Sequence, residues 1–442
     1  MTESPEPPSD RQGPAEGTGP TPPARRPSGR GPEAGLPRPV TGSGLWAERP
    51  TKWNPAQADG PGPPRTPRRP VRWMRWAALG LAVLVLATGG LGWLAYTKLN
   101  GNIHFDSATL RELLKYESER PAAGPPDTEN ILLIGSDNRG DGNGEYGADS
   151  GTQRSDTTIL LHLAADRQSA TAVSIPRDLM VLTPHCRRSD GKEIESQTVQ
   201  FNWAFQFAGA GCTIRTVEKM TGIRITHHMI IDFVGFKKMV DAVDGVEVCL
   251  PRPVNDHAAH LVLPKGRQTL LGEEALGYVR ARKSLGNGSD TQRMERQQQF
   301  LGALVKKVQS NGVLLNPTRM YPLLDAATSS LTTDKDLASL TGLYELVRSM
   351  RSIPTDRVQF LTVPRRKYRM DPNRDELVQP GAGQLFGKLR KDLPVTVEPT
   401  EQAAGGPART GKSDASDGER PAPRGSSDPT FPGTTAERGI CE

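Results

Sequence analysis

One stretch of this 442-residue chain concentrates arginines in a pattern that a purely structural role rarely needs. In Val279-Arg280-Ala281-Arg282 two guanidiniums alternate, so an extended segment sends both from one face. A Gly-rich loop follows, and then a helix carrying Arg293, Arg296 and Gln297. Arg293 and Gln297 are four residues apart and stack on one side of that helix. Asp290 stands at the helix start, where a carboxylate can accept backbone N–H bonds. Converging guanidiniums repel each other unless an anion lies between them, and their planar donor forks match phosphate oxygens bidentately. The chemistry implied is a phosphate or pyrophosphate site.

The elements that must position such a site begin with Asn130–Ile134, a short apolar run typical of a buried strand. It leads into Gly135-Ser136-Asp137-Asn138-Arg139. After a Gly-rich loop, Arg154-Ser155-Asp156 opens a second strand over 157–163. A tight polar connection joins that strand to a third over 170–175, closed by Pro176-Arg177-Asp178. So short a connection predicts an antiparallel hairpin, which puts Asp156 and Arg177 at the same edge of the sheet. If the first strand ends there too, Asp137 joins them. Two carboxylates among arginines suit Mg²⁺, which is held by one or two carboxylates plus substrate phosphates. Each aspartate by itself could equally be a turn or cap residue.

Farther along, the spacing predicts a helix over 213–220 stopped by Gly222, a strand over 228–233 and a helix over 236–243. A strand over 246–250 follows, then a helix over 272–276 running straight into the arginine pair. A long helix from Thr291, a helix over 337–350 and a strand over 358–363 close the body. Helices and strands alternate, so the fold class is α/β, a mixed central sheet covered by helices, with one N-terminal transmembrane helix and disordered tails. The overall hydrophobic fraction of 35%, with 39 Pro and 46 Gly, reflects those tails, at 1–76 and 398–442. Ala77–Tyr96 carries no charge and is long enough to span a bilayer, with Trp and Tyr at its ends. It lies too far from Met1 for a cleaved signal peptide. Arg65, Arg68, Arg69, Arg72 and Arg75 place its N-terminal side in the cytoplasm and the body outside the cell. Residues 97–127 then form a linker, 128–310 the domain bearing the site, and 311–397 the remainder of the body.

Other signals are weaker. A net charge of +6 does not indicate generic nucleic-acid binding. Gly406–Ser413 spells a nucleotide-binding P-loop, but in a low-complexity tail with no strand or helix around it. His257 and His260 have loose metal-like spacing that nothing completes. Of the cysteines, Cys186 and Cys212 are the preferred bridge, each in a loop near Gln200, while the pairing of Cys249 and Cys441 stays open.

Six segments, in order, resemble the LytR-CpsA-Psr family of cell-wall assembly proteins over residues 128 to 310. They are Gly-Ser-Asp137-Asn-Arg139, Arg154-Ser-Asp156-Thr-Thr, Ser-Ile-Pro-Arg177-Asp178, Asp232-Phe-Val-Gly-Phe236, Ala275-Leu-Gly-Tyr-Val-Arg280-Ala-Arg282 and Asp290-Thr-Gln-Arg293-Met-Glu-Arg296-Gln297-Gln298. The resemblance implies a phosphotransferase that moves a glycopolymer from a polyprenyl-pyrophosphate carrier onto peptidoglycan. Asp137 and Asp156 would hold Mg²⁺. Arg154, Arg177, Arg280, Arg282, Arg293 and Gln297 would bind the pyrophosphate, with Arg139 and Asp290 as further matched positions. Asp178 or Asp290 would orient the attacking sugar hydroxyl or take its proton. Where the family usually has Lys, this chain has Gln200, which removes a cation beside the phosphates; Asp244 stands where Gly is usual. Trp203, Phe205, Phe207 and Phe236 are candidates to line a tunnel for the polyprenyl tail. Two other functions compete: a binding protein that holds lipid-linked precursors without chemistry, and a transcriptional attenuator. The predicted topology opposes the second.

Overall fold

The computed structural model describes residues 72–136, 155–188, 190–282, 285, 288–310, 317–399 and 428–438. Asp137, Arg139, Arg154, Cys441, the N-terminal tail and the P-loop-like segment lie outside the described residues. Helix α1 (Arg72–Asn102) contains the predicted span and runs on past Tyr96. Among the described residues it is the one helix long and apolar enough to cross a membrane. Its last turns dock on the body: Leu99 is buried, Lys98 pairs with Asp325 at 3.1 Å, and Asn100 accepts from the Leu340 N–H at 3.0 Å.

Nine strands form one mixed sheet, and four more that matter to the site flank it. In chain order they are β1 (His104–Phe105), β2 (Glu129–Ser136), β3 (Ser155–Leu163), β4 (Ala170–Ile175), β5 (Met180–Leu182), β6 (Thr198–Gln200), β7 (His227–Ile231), β8 (Leu331–Thr333), β9 (Val358–Thr362), β10 (Arg365–Tyr368), β11 (Asp371–Leu377), β12 (Thr396–Pro399) and β13 (Thr430–Thr435). The sheet order is β1-β8-β7-β2-β3-β4-β9-β13-β12. At its centre β2, β3 and β4 are antiparallel, while β7 joins β2 and β9 joins β4 in parallel. Helices cover both faces. Leu132, Ile134, Leu160 and Val173 face one core, shared with α3 (Asn202–Thr221) and with α9 (Gly381–Arg390) near the chain's end. Ile131, Ile159 and Leu161 point the other way. This period-two division of a continuous apolar run is what a strand buried on both sides requires. Strands from both sides of residue 310 share the sheet.

Three local features differ from the sequence expectation. The helix expected over 213–220 begins at Asn202 and breaks at Ala208 and Gly209, where Gly209 has φ 66°, a conformation that costs glycine little. Helix α5 (Gly272–Arg280), which follows α4 (Phe233–Ala242), extends through Arg280. The alternation at Val279–Arg282 is therefore not a strand, because Ala275, Leu276 and Tyr278 bury a helical face and that burial decides the local conformation. Within the stretch expected as a tail from 398, β13 pairs with β9 and β12, and Phe431 is buried in the core. Cys186 and Cys212 form a disulfide, the preferred bridge, although Cys212 lies within α3 and not in a loop; Cys249 is also disulfide-bonded.

Asp106 caps α2 (Ser107–Lys115) and ties it to β7. Burial opposes its charge, yet bonds from His228, the Thr109 N–H and the Thr109 hydroxyl outweigh that and hold its pKa at about 2. The folded value lies below the ordinary 3.8, so its stabilisation is full above that pH and fades as pH falls toward 2. Asp106→Asn should cost about 2 kcal/mol near neutrality and flatten this acid limb in thermal unfolding of the full chain. An unchanged acid limb would show that the network contributes nothing.

Candidate functional site

The hairpin prediction holds at the level of atoms. Ser136 at the end of β2 is paired with Ser155 at the start of β3, and Thr158 with Ile175 at the end of β4. The edge so formed carries Asp156 and Arg177, joined by an ion pair from Arg177 Nη1 to Asp156 Oδ1 at 2.9 Å. Arg177 Nε lies 3.4 Å from Asp178 Oδ2 and 4.0 Å from Asp290 Oδ1. Burial works against its charge, but Asp156, Asp178 and Asp290 outweigh burial and raise its pKa above the ordinary arginine value.

A second side of the site comes from α6 (Asp290–Ser310). Asp290 is the first residue of the helix, and the residue before it takes the cap: the Ser289 hydroxyl accepts the Gln292 N–H at 3.3 Å. Asp290 Oδ1 is drawn to arginines, 2.7 Å from Arg293 and 3.3 Å from Arg282. Arg293 is buried, and burial, only partly offset by Asp290 and reinforced by Arg282 and Arg177, pulls its pKa down to about 10. Four charged groups are thus in mutual reach before any ligand binds.

The other predicted ligands fall around this centre. Arg280, at the end of α5, stacks over the Phe233 ring at 4.7 Å, while Arg282 turns toward Asp290, so the two do not share one strand face. The Gln297 amide donates to the Val279 carbonyl at 3.1 Å, and Arg296 is spent on the carbonyls of Tyr278 and Ala281. Both hold the α5–α6 junction in place. Gln200, at the end of β6, faces Arg374 of β11. Residues 365–377, outside the stretch that suggested the site, supply a further wall. Arg374 Nη1 lies 3.4 Å from Asp178, the Asp375 N–H donates to the Asp178 carbonyl at 3.1 Å, and Arg365 reaches both Asp375 and the Thr291 hydroxyl. The basic run Arg365-Arg366-Lys367 was visible in the sequence. Nothing local linked it to a site about two hundred residues upstream, a distance only the sheet closes.

Among the described residues, five buried side-chain polar atoms make no hydrogen bond: Ser155 Oγ, Asn202 Oδ1, Asp290 Oδ2, Arg293 Nε and Asp375 Oδ1, the last with only an ion-pair contact to Lys367 at 3.4 Å. All five residues belong to segments that build this locus; Asn202, for instance, donates its N–H to the Arg177 carbonyl at 3.1 Å. Each orphaned group costs about 1–3 kcal/mol, so their concentration here is a feature of the site and not of the core.

A cavity of about 1040 Å³ opens beside Ser136. Phe205 and Phe207 line it, together with charged residues that include Asp106, Arg111, Lys115 and Asp232. Of the other tunnel candidates, Trp203 is exposed against Phe207 and Phe236 packs on Phe300 in the α4–α6 core. His227, Asp334 and Asp336 could group around a cation, but Asp334 already accepts three backbone N–H groups, from His228, Asp336 and Leu337.

The body is thus a helix-covered mixed sheet with an arginine–aspartate cluster at one edge, preceded by a helix long and apolar enough to cross a membrane. The LytR_cpsA_psr family matches residues 101–390, and the chain belongs to that family. It is 32% identical over 310 residues to the cell wall biosynthesis protein LcpA of Corynebacterium glutamicum, covering 64% of this chain and 58% of that one. With the probable cell wall biosynthesis protein LcpB of the same organism it shares 39% identity over 210 residues, 46% of this chain and 47% of LcpB. The chain thus spans about half the length of these two relatives. It is 30% identical over 283 residues to TagT of Bacillus subtilis, a polyisoprenyl-teichoic acid–peptidoglycan teichoic acid transferase, covering 62% of this chain and 81% of TagT. The crystal structure of protein gbs0355 from Streptococcus agalactiae shares the fold, with TM-score 0.51 at 20% identity over 60% of this chain and 88% of that one.

Asp290→Asn strips Arg293 of its nearest counter-charge. The unfolding midpoint should fall, by the equivalent of about 3–5 kcal/mol. Added inorganic pyrophosphate should restore part of the loss. An unaltered midpoint would mean that Asp290 does not hold the cluster together.

Proposed function

We propose that the chain is a phosphotransferase that moves a glycopolymer from a polyprenyl-pyrophosphate carrier onto peptidoglycan, anchored in the cell membrane with its body outside. The observation that carries this reading is the gathering of orphaned buried polar atoms around Arg177, Asp290 and Arg293. Cationic and anionic groups with open valences in one half-buried locus suit a multiply charged, hydrogen-bonding ligand such as a pyrophosphate. The names of TagT and the corynebacterial relatives support the substrate class. The arginines flanking α1 on its N-terminal side support the orientation.

A magnesium ion fits the residues present. Asp156 offers hard carboxylate oxygens, one of them held by Arg177. Asp156, with Asp137 directly after Ser136, would hold the ion; bound there it would neutralise charge on phosphate oxygens. The protein's own groups do the rest. Arg177, Arg282 and Arg293 bind and orient the two phosphates, and Arg177 stabilises the charge that grows on the leaving phosphate. A peptidoglycan hydroxyl forms the new bond to the phosphorus carrying the glycopolymer, and the bond to the distal phosphate breaks, releasing polyprenyl phosphate. Asp178 takes the hydroxyl proton. Its contacts to Arg177 and Arg374, both 3.4 Å, leave it more room to turn than Asp290, whose Oδ1 is drawn to three arginines. Phe205 and Phe207 form an apolar wall for the carrier's tail.

Reconstituted transfer from a lipid-linked polymer to peptidoglycan should fall roughly 100-fold or more in Arg177→Ala and in Asp156→Ala. Binding of the donor should persist in Asp156→Ala. Undiminished transfer in both variants would leave a holding protein without chemistry.

A further inference from the structure

We propose that Arg374, on the β10–β11 hairpin, is a pyrophosphate-binding residue that supplies the cation missing at Gln200; this rests on the phosphotransferase reading above. The hairpin is clamped onto the site at its base. Asp375 is buried, pairs with Arg365 and donates its N–H to Asp178, and Arg365 also reaches Thr291 at the start of α6. Arg365 is therefore locked, with its side chain only 10% exposed.

Arg374 is held differently. With the Gln200 amide turned so that its oxygen faces the guanidinium, that oxygen accepts from Nε at 2.7 Å, from Nη1 at 3.0 Å and from Nη2. A neutral amide is thus its principal partner. Its carboxylate contacts are long, 3.4 Å to Asp178 and 3.6 Å to Asp371, and its side chain is 30% exposed. A guanidinium resting on a neutral acceptor gives up little when a doubly charged phosphate enters beside it, because charge-assisted bonds are roughly twice as strong as neutral ones. The same contact explains the glutamine. An ammonium at position 200 would sit against this guanidinium with like charge, whereas the amide oxygen holds it in place. The hairpin then contributes one cation to the side of the site bounded by Asp178.

The test uses the detergent-solubilised full chain with Mg²⁺ and geranylgeranyl pyrophosphate as probe, followed by calorimetry. Arg374→Gln should weaken binding roughly tenfold to hundredfold, and Arg374→Lys should keep most of it. The double variant Gln200→Lys/Arg374→Gln should recover affinity, since it moves one cation across the contact; a merely structural arginine would not be replaced this way. Gln200→Lys by itself should not tighten binding. Arg177→Ala serves as the control for the site. If it abolishes binding while Arg374→Gln leaves affinity unchanged, Arg374 has no such role and the site assignment stands. If neither variant alters binding, both fail. If Arg374→Gln misfolds, failure of the double variant to recover binding overturns the proposal by itself.

Discussion

The charge of half-buried Arg177 is balanced by carboxylates that come from three parts of the chain. Asp156 stands at the start of β3, Asp178 follows β4, and Asp290 opens α6. Remove the sheet and each becomes an ordinary solvated residue. The reciprocal holds as well: Arg293 is buried deeply enough that its proton affinity drops, and Asp290, with a smaller contribution from Asp156, partly offsets that. The cluster depends on the fold for its geometry, and the local packing depends on the cluster for electrical balance.

That balance is deliberately incomplete. Ordinary cores satisfy nearly every buried donor and acceptor, and among the described residues the exceptions fall in α3, α6, β3 and β11. The contrast recurs in the two arginines of the β10–β11 hairpin. One is fixed by a carboxylate and builds the wall; the other leans on an amide.

Helix α1 adds a positional constraint. Its last turns are pinned to α7 (Pro317–Thr328) through Asp325 and to α8 (Leu340–Arg351) through Leu340, so the body starts where the apolar stretch ends. Under the proposed function, this attachment would keep the site near the bilayer to which a lipid-linked donor is confined.

Much of this was legible in the sequence, for stated reasons. Short-range rules sufficed for the span, whose length and lack of charge are local properties, and for the β3–β4 hairpin, whose connection is too short for any other arrangement. From that hairpin alone the Asp156–Arg177 pairing followed. The fate of Val279–Arg282 was not legible, since alternation of two arginines fits a strand and only burial of Ala275, Leu276 and Tyr278 selects the helix. Nor was the Asp290–Arg293–Arg282 triad, which competes with an equally plausible helix cap taken instead by Ser289. Arg374 and β13 lay beyond reach for the same reason: residues far apart in the chain meet only when the tertiary fold brings them together. Sequence by itself determined which groups could bind a phosphate; tertiary structure decided which of them face one another, because charge compensation across a buried site is a property of distance and not of order along the chain.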